Sequence, residues 1–133
     1  MIGTNSLIGS DCAGTPETAA QYIAKYDSYL ATIRAAAPTK PILCITPILN
    51  RADLKPSGNQ NGERPNAYRD GIAGAVQRRQ KSDVNLYLLD GLTMINDPLY
   101  LLVTDNVHPN DAGMHRIAKG IGTALKPILE RLA

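Results

Sequence analysis

The stretch PILCITPIL, residues 41–49, constrains the chain most, because it is apolar at odd and even positions alike. A strand with one wet face alternates apolar and polar residues, whereas a parallel strand covered by helices on both faces does not. The run therefore reads as a central strand of a parallel sheet. Parallel neighbours need long crossovers, and the flanking segments have helical character.

Upstream, GTPETAAQYIAKYDSYLATIRAAAP places Ile23, Tyr26, Leu30, Ile33 and Ala37 at three- and four-residue steps. That spacing predicts one apolar helix face, with Thr15 as cap, Pro16 at the first helical position, Glu17 at the positive end of the dipole and Pro38 as the stop. Downstream, NAYRDGIAGAVQRRQK, residues 66–81, predicts a second helix with Tyr68, Ile72 and Val76 on its inner side and two glycines weakening it. NLYLLDG, residues 85–91, is a further strand. A last helix begins near Asn110 or Asp111, with Met114, Ile117, Ile121, Leu125, Ile128 and Leu132 inward and a kink expected at Pro127. At the other end, MIGT looks like the tail of a buried strand that delivers Asn5 at its exit.

The order is strand, helix, strand, helix, strand, helix. It predicts an α/β fold: a three-layer, flavodoxin-like parallel sheet with right-handed crossovers and helices on both faces. With 133 residues, no internal repeat and no linker, the chain is enough for one domain and gives no sign of a second. The polar stretch NRADLKPSGNQNGERPN is long for a loop in a compact domain, and such loops border sites or move.

Composition excludes several classes. The net charge is +2, and the densest basic cluster, Arg78, Arg79 and Lys81, falls at a helix end where cations suit the dipole; nucleic-acid binding is not expected. No apolar run is long enough to span a bilayer. The two cysteines, Cys12 and Cys44, are too few for a disulfide framework and lack metal-ligand spacing. Cys44 sits in the apolar strand, where a thiol acts as a small hydrophobe.

Ligands of open parallel sheets bind beyond the carboxyl ends of the strands. The polar residues there are Asn5 and Ser6, then Asn50 and Arg51, then the loop with Asp105 and His108. In TDNVHPNDAG, Asp105 and His108 are three apart, so the carboxylate can reach the Nδ1 side of the imidazole and fix its tautomer. His108 precedes Pro109, which keeps its backbone out of the following helix. The plainer assignment makes Asp105 a turn residue, His108 a loop residue and Asn110 a helix cap.

TDNVHPNDAGMHRIAKGI resembles the final block of the SGNH, or GDSL-type, hydrolases, in which an Asp-x-x-His pair precedes the C-terminal helix. MIGTNS resembles their Gly-x-Asn-Asp block, with Ser6 standing where the family has Asp. The resemblance implies that Asn5 is an oxyanion-hole donor, His108 the general base and Asp105 its orienter. It implies serine-type hydrolysis of a carboxylic or acetyl ester, without metal or organic cofactor. The blocks holding the nucleophilic serine and the oxyanion glycine lie upstream of the Gly-x-Asn block in that family, so the chain reads as the C-terminal part of one such domain. A companion is then expected to complete the sheet: an N-terminal fragment, or a second copy supplying an edge.

Other arrangements fit less well. Ser6, Ser10 and Cys12 are near the first strand but not in a Gly-x-Ser-x-Gly elbow. Asp105, His108, Asp111 and His115 can be drawn as metal donors, but the seven-residue step between the histidines is not a recurrent ligand spacing. No glycine-rich phosphate loop follows a strand, which argues against a nucleotide site. The alternative to an enzyme is a catalytically incomplete chain that serves as a binding or assembly module.

Overall fold

The structure is a computed structural model that describes residues 17–132. The expected MIGT strand, together with Asn5, Ser6, Ser10, Cys12, Thr15 and Pro16, lies outside the described residues.

The described elements are helix α1 (Ala19–Ala36), strand β1 (Ile42–Ile45), helix α2 (Pro65–Gln80), strand β2 (Leu86–Leu89), two single 3₁₀ turns (Gly91–Thr93 and Pro98–Tyr100) and helix α3 (Asp111–Glu130). β1 and β2 pair in parallel, Ile42 opposite Leu86 and Ile45 opposite Leu89. The alternating order and parallel pairing are those of an α/β fold, as the sequence predicts.

Side-chain parity along the strands sorts the core into two clusters. Ile42 and Cys44 of β1 and Leu86 and Leu88 of β2 join Tyr22, Tyr26 and Leu30 of α1 and Tyr68, Ile72 and Val76 of α2. Ile45 and Leu89, of opposite parity, join Ile48, Met94, Ile95 and Leu101, with Ile117 and Ile121 of α3. Helices therefore cover both faces. The strands are shorter than expected, and only Cys44 is fully buried within β1; β2 is the only strand paired with it among the described residues.

Several boundaries differ from the sequence expectation. α1 is capped by Thr18, not Thr15. The Thr18 hydroxyl accepts from the Gln21 N–H, and the Gln21 side chain accepts from the Thr18 N–H at 3.1 Å, a reciprocal capping box. The buried stripe of α1 is Ala19, Tyr22, Tyr26 and Leu30, with Ile23 and Ile33 at its margin. Met114 on α3 is exposed, because the helix meets the second cluster mainly through Ile117 and Ile121, and Leu132, also exposed, lies past the helix end at Glu130. Pro127 lies inside α3 without dividing it, and the helix runs on to Glu130.

Paired arginines lock the helices to their neighbours. Arg79 of α2 forks onto both carboxylate oxygens of Asp27 on α1, each at 2.8 Å. Arg34, at the end of α1, reaches Asp83 ahead of β2 at 2.8 Å and the Lys40 carbonyl at 2.6 Å. Cys44 is buried, and burial pushes its thiol pKa up, so the inert-hydrophobe reading of this residue holds.

Candidate active site

The segment between the second 3₁₀ turn and α3 folds back on itself. Leu101 and Pro109 form an antiparallel bridge. Within it, the Leu102 N–H donates to the His108 carbonyl at 2.8 Å and the Asn106 N–H to the Leu102 carbonyl at 2.8 Å. Asn106 takes the left-handed conformation, φ 53°, which Asn tolerates better than most residues. The base of this loop is fixed by Asn110. Its side-chain oxygen caps α3 by accepting from the Gly113 N–H at 3.0 Å, while its amide donates to the Leu99 carbonyl at 2.7 Å.

Asp105 divides its two oxygens between backbone and ring. Oδ1 accepts from the N–H of Val107 at 2.7 Å and of His108 at 3.0 Å, which builds the turn. Oδ2 lies 2.7 Å from Nδ1 of His108. The two sequence-level assignments thus coexist: Asp105 is both a turn residue and the carboxylate on the imidazole. The hydrogen bond from the His108 ring, followed by the backbone N–H groups of His108 and Val107, holds its carboxyl down to about 2. Such a carboxylate is ionised throughout the neutral range.

The His108 side chain is 73% exposed, and Nε2 has no hydrogen-bond partner among the described residues. An imidazole held at Nδ1 by a carboxylate and open at Nε2 is arranged to take and return a proton at Nε2. His115 and Asp111 do not join the pair: among the described residues no three His, Cys, Asp or Glu side chains are gathered as metal donors. Nor, among them, is any helix long and apolar enough to cross a membrane.

Asn50 and Arg51, which follow β1, take different roles. Asn50 is wholly buried and shapes its own turn, accepting from the Ala52 N–H at 3.0 Å and donating to the Ile48 carbonyl at 3.3 Å. Arg51 faces a depression lined also by Lys55, Ser57 and Asn59 in the polar loop. That loop is tied down by its own polar groups: Asn59 Oδ1 accepts from the N–H of Asn61 at 2.9 Å and of Glu63 at 3.0 Å. Gly58 takes φ 75° there, and a Cβ at that position would lie 2.3 Å from the Glu63 carbonyl oxygen.

Sequence reasoning missed Arg69. Its side chain is 5% exposed and forks onto Asp53 at 2.8 and 2.7 Å. The only available signal was its place three residues before Ile72, on the inner face of α2.

The family model of GDSL-like lipases and acylhydrolases matches residues 1–116. The chain belongs to that family. Among solved structures, this GDSL-like chain is similar to a salicylyl-acyltransferase from a tetracycline biosynthetic pathway, with 20% identity and a TM-score of 0.70 over 84% of this chain and 33% of that one. It is also similar to a protein of Bacteroides ovatus assigned as a GDSL-like lipase, with 24% identity and a TM-score of 0.68 over 86% of this chain and 34% of that one. The GDSL-like chain thus spans about a third of the length of either structure, and at these identities the likeness is one of fold. No curated protein matches the sequence significantly.

Proposed function

We infer that the chain carries the general base and its orienting carboxylate for a serine-type acyl-transfer reaction, with water as acceptor in the hydrolase reading. The observation that carries this is the 2.7 Å contact between Asp105 Oδ2 and His108 Nδ1, beside an Nε2 that is free among the described residues. His108 takes the proton of the attacking serine and returns it to the leaving alcohol, while Asp105 holds the tautomer and balances the imidazolium that forms. Asn5 is assigned as an oxyanion donor, a role that rests on its place in MIGTNS. The serine and the oxyanion glycine are assigned to residues outside this chain, supplied by an upstream segment or companion.

The substrate class is a small carboxylic or acetyl ester. An acyltransferase among the structural neighbours is compatible with the same pair, since an alcohol can replace water in the second half of the reaction. Turnover of a small acyl ester by the protein as isolated tests the reading. His108→Ala is expected to remove nearly all activity, and Asn5→Ala to lower kcat by about 100-fold or more. Near-normal rates in either variant would contradict the corresponding assignment.

A further inference from the structure

We propose that Arg69, clamped by Asp53, is a positioning residue for the Asp105–His108 pair, acting through the turn that follows β1. The proposal rests on the reading of that pair given above.

Every N–H direction of the Arg69 guanidinium is used. Nε donates to the Pro47 carbonyl at 2.8 Å. Nη1 donates to Asp53 Oδ1 at 2.8 Å and Asn66 Oδ1 at 2.9 Å, and Nη2 to the Ile48 carbonyl at 2.9 Å and Asp53 Oδ2 at 2.7 Å. Asp53 Oδ2 also accepts from the Asn50 N–H at 3.0 Å. One buried planar cation therefore fixes the path of residues 47–53 just past the carboxyl end of β1. A lysine carries the charge but cannot reproduce the fork.

Two separate packing routes lead from this turn to the pair. The Ile48 side chain, 2% exposed, belongs to the same cluster as Leu101, and Leu101 bridges to Pro109, the neighbour of His108. Ala52, 3% exposed, belongs to the other cluster, on which Val107 packs, and the Val107 N–H donates to Asp105 Oδ1. Both sides of the Asp105–His108 loop thus pack into clusters that residues of the turn held by Arg69 and Asp53 also enter.

The test reads the His108 ring directly, by nitrogen-15 NMR of the full chain. With two histidines in the sequence, exposed His115 on α3 serves as an internal control. The unaltered chain is expected to hold the His108 proton on Nδ1, and Arg69→Lys to lose that preference and move His108 toward the tautomer mixture of His115. Should Arg69→Lys not fold, Asp53→Asn, which keeps the size of the side chain, is read the same way. A folded variant of either kind that melts lower yet keeps His108 on the Nδ1–H tautomer overturns the proposal and leaves Arg69 a purely structural residue. If His108 and His115 are already alike in the unaltered chain, the pair itself is not formed in solution, and both the pair and its positioning by Arg69 fall.

Discussion

At the scale of single residues, Asp105 carries the clearest electrostatic signature. The His108 ring, and then two backbone N–H groups, hold its carboxyl at about 2, below the ~3.9 of a free aspartate. A group that binds protons less readily when folded stabilises the folded state fully above its unfolded pKa, and loses that contribution as pH falls through the folded value. The pairing is therefore intact from neutral pH to about pH 4 and dissolves toward pH 2. A carbon-13 titration of the Asp105 carboxyl is expected to show a midpoint near 2; a midpoint near 4 would mean that the carboxylate is not engaged. The Asp-x-x-His spacing made this pair visible in the sequence, since a three-residue step is short enough for a loop to close on itself. Arg69 and Asp53 were not visible in the same way. Their contact joins a loop to a helix, and nothing in the local pattern marks a buried arginine except the apolar residues on its face.

At the scale of elements, two glycines separate backbone approach from mere helix composition. A Cβ on Gly91 would lie 2.2 Å from the Thr46 carbonyl oxygen and 2.8 Å from the Ile48 nitrogen, so the exits of β1 and β2 can meet only at a residue without a side chain. Gly91→Ala is expected to destabilise by about 1–3 kcal/mol, since backbone must shift. On α3, a Cβ at Gly122 would meet nothing within 4 Å, and Gly122→Ala there is expected to stabilise by up to ~1 kcal/mol through helix propensity. Urea unfolding midpoints that move in the same direction for both would contradict this contrast. The elements themselves were legible from apolar spacing: the second and third helices begin within a residue or so of expectation, at Pro65 and at Asp111 with Asn110 as cap. The α1 boundary was misplaced because Thr15–Pro16 offers one start signal and Thr18 with Gln21 another. The capping box satisfies two backbone N–H groups reciprocally, and it is the one used.

At the scale of the whole molecule, the sheet has one defined pairing, between β1 and β2, among the described residues. The Ile42 and Thr46 N–H groups point toward β2, donating to the Asn85 carbonyl at 2.9 Å and the Leu89 carbonyl at 3.0 Å. Alternation turns the Leu43 and Ile45 N–H groups to the opposite edge. If a further strand pairs there in the protein as isolated, those two amides will exchange with solvent as slowly as Ile42 and Thr46; fast exchange confined to Leu43 and Ile45 would show that edge to be open. The apolar character of PILCITPIL was readable because a doubly covered strand has no polar parity, but which chain covers its outer edge is a long-range fact that no local pattern encodes.

The central claim, that His108 is the base of a serine-dependent acyl-transfer centre, is tested most directly by intact mass spectrometry. The protein as isolated, and its His108→Ala variant, would be exposed to a fluorophosphonate and then denatured. The expected result is a single adduct on a serine of an upstream segment or companion in the unaltered protein, and its loss in the variant. Equal labelling of both, or a serine-bearing assembly that stays unlabelled, would contradict the claim.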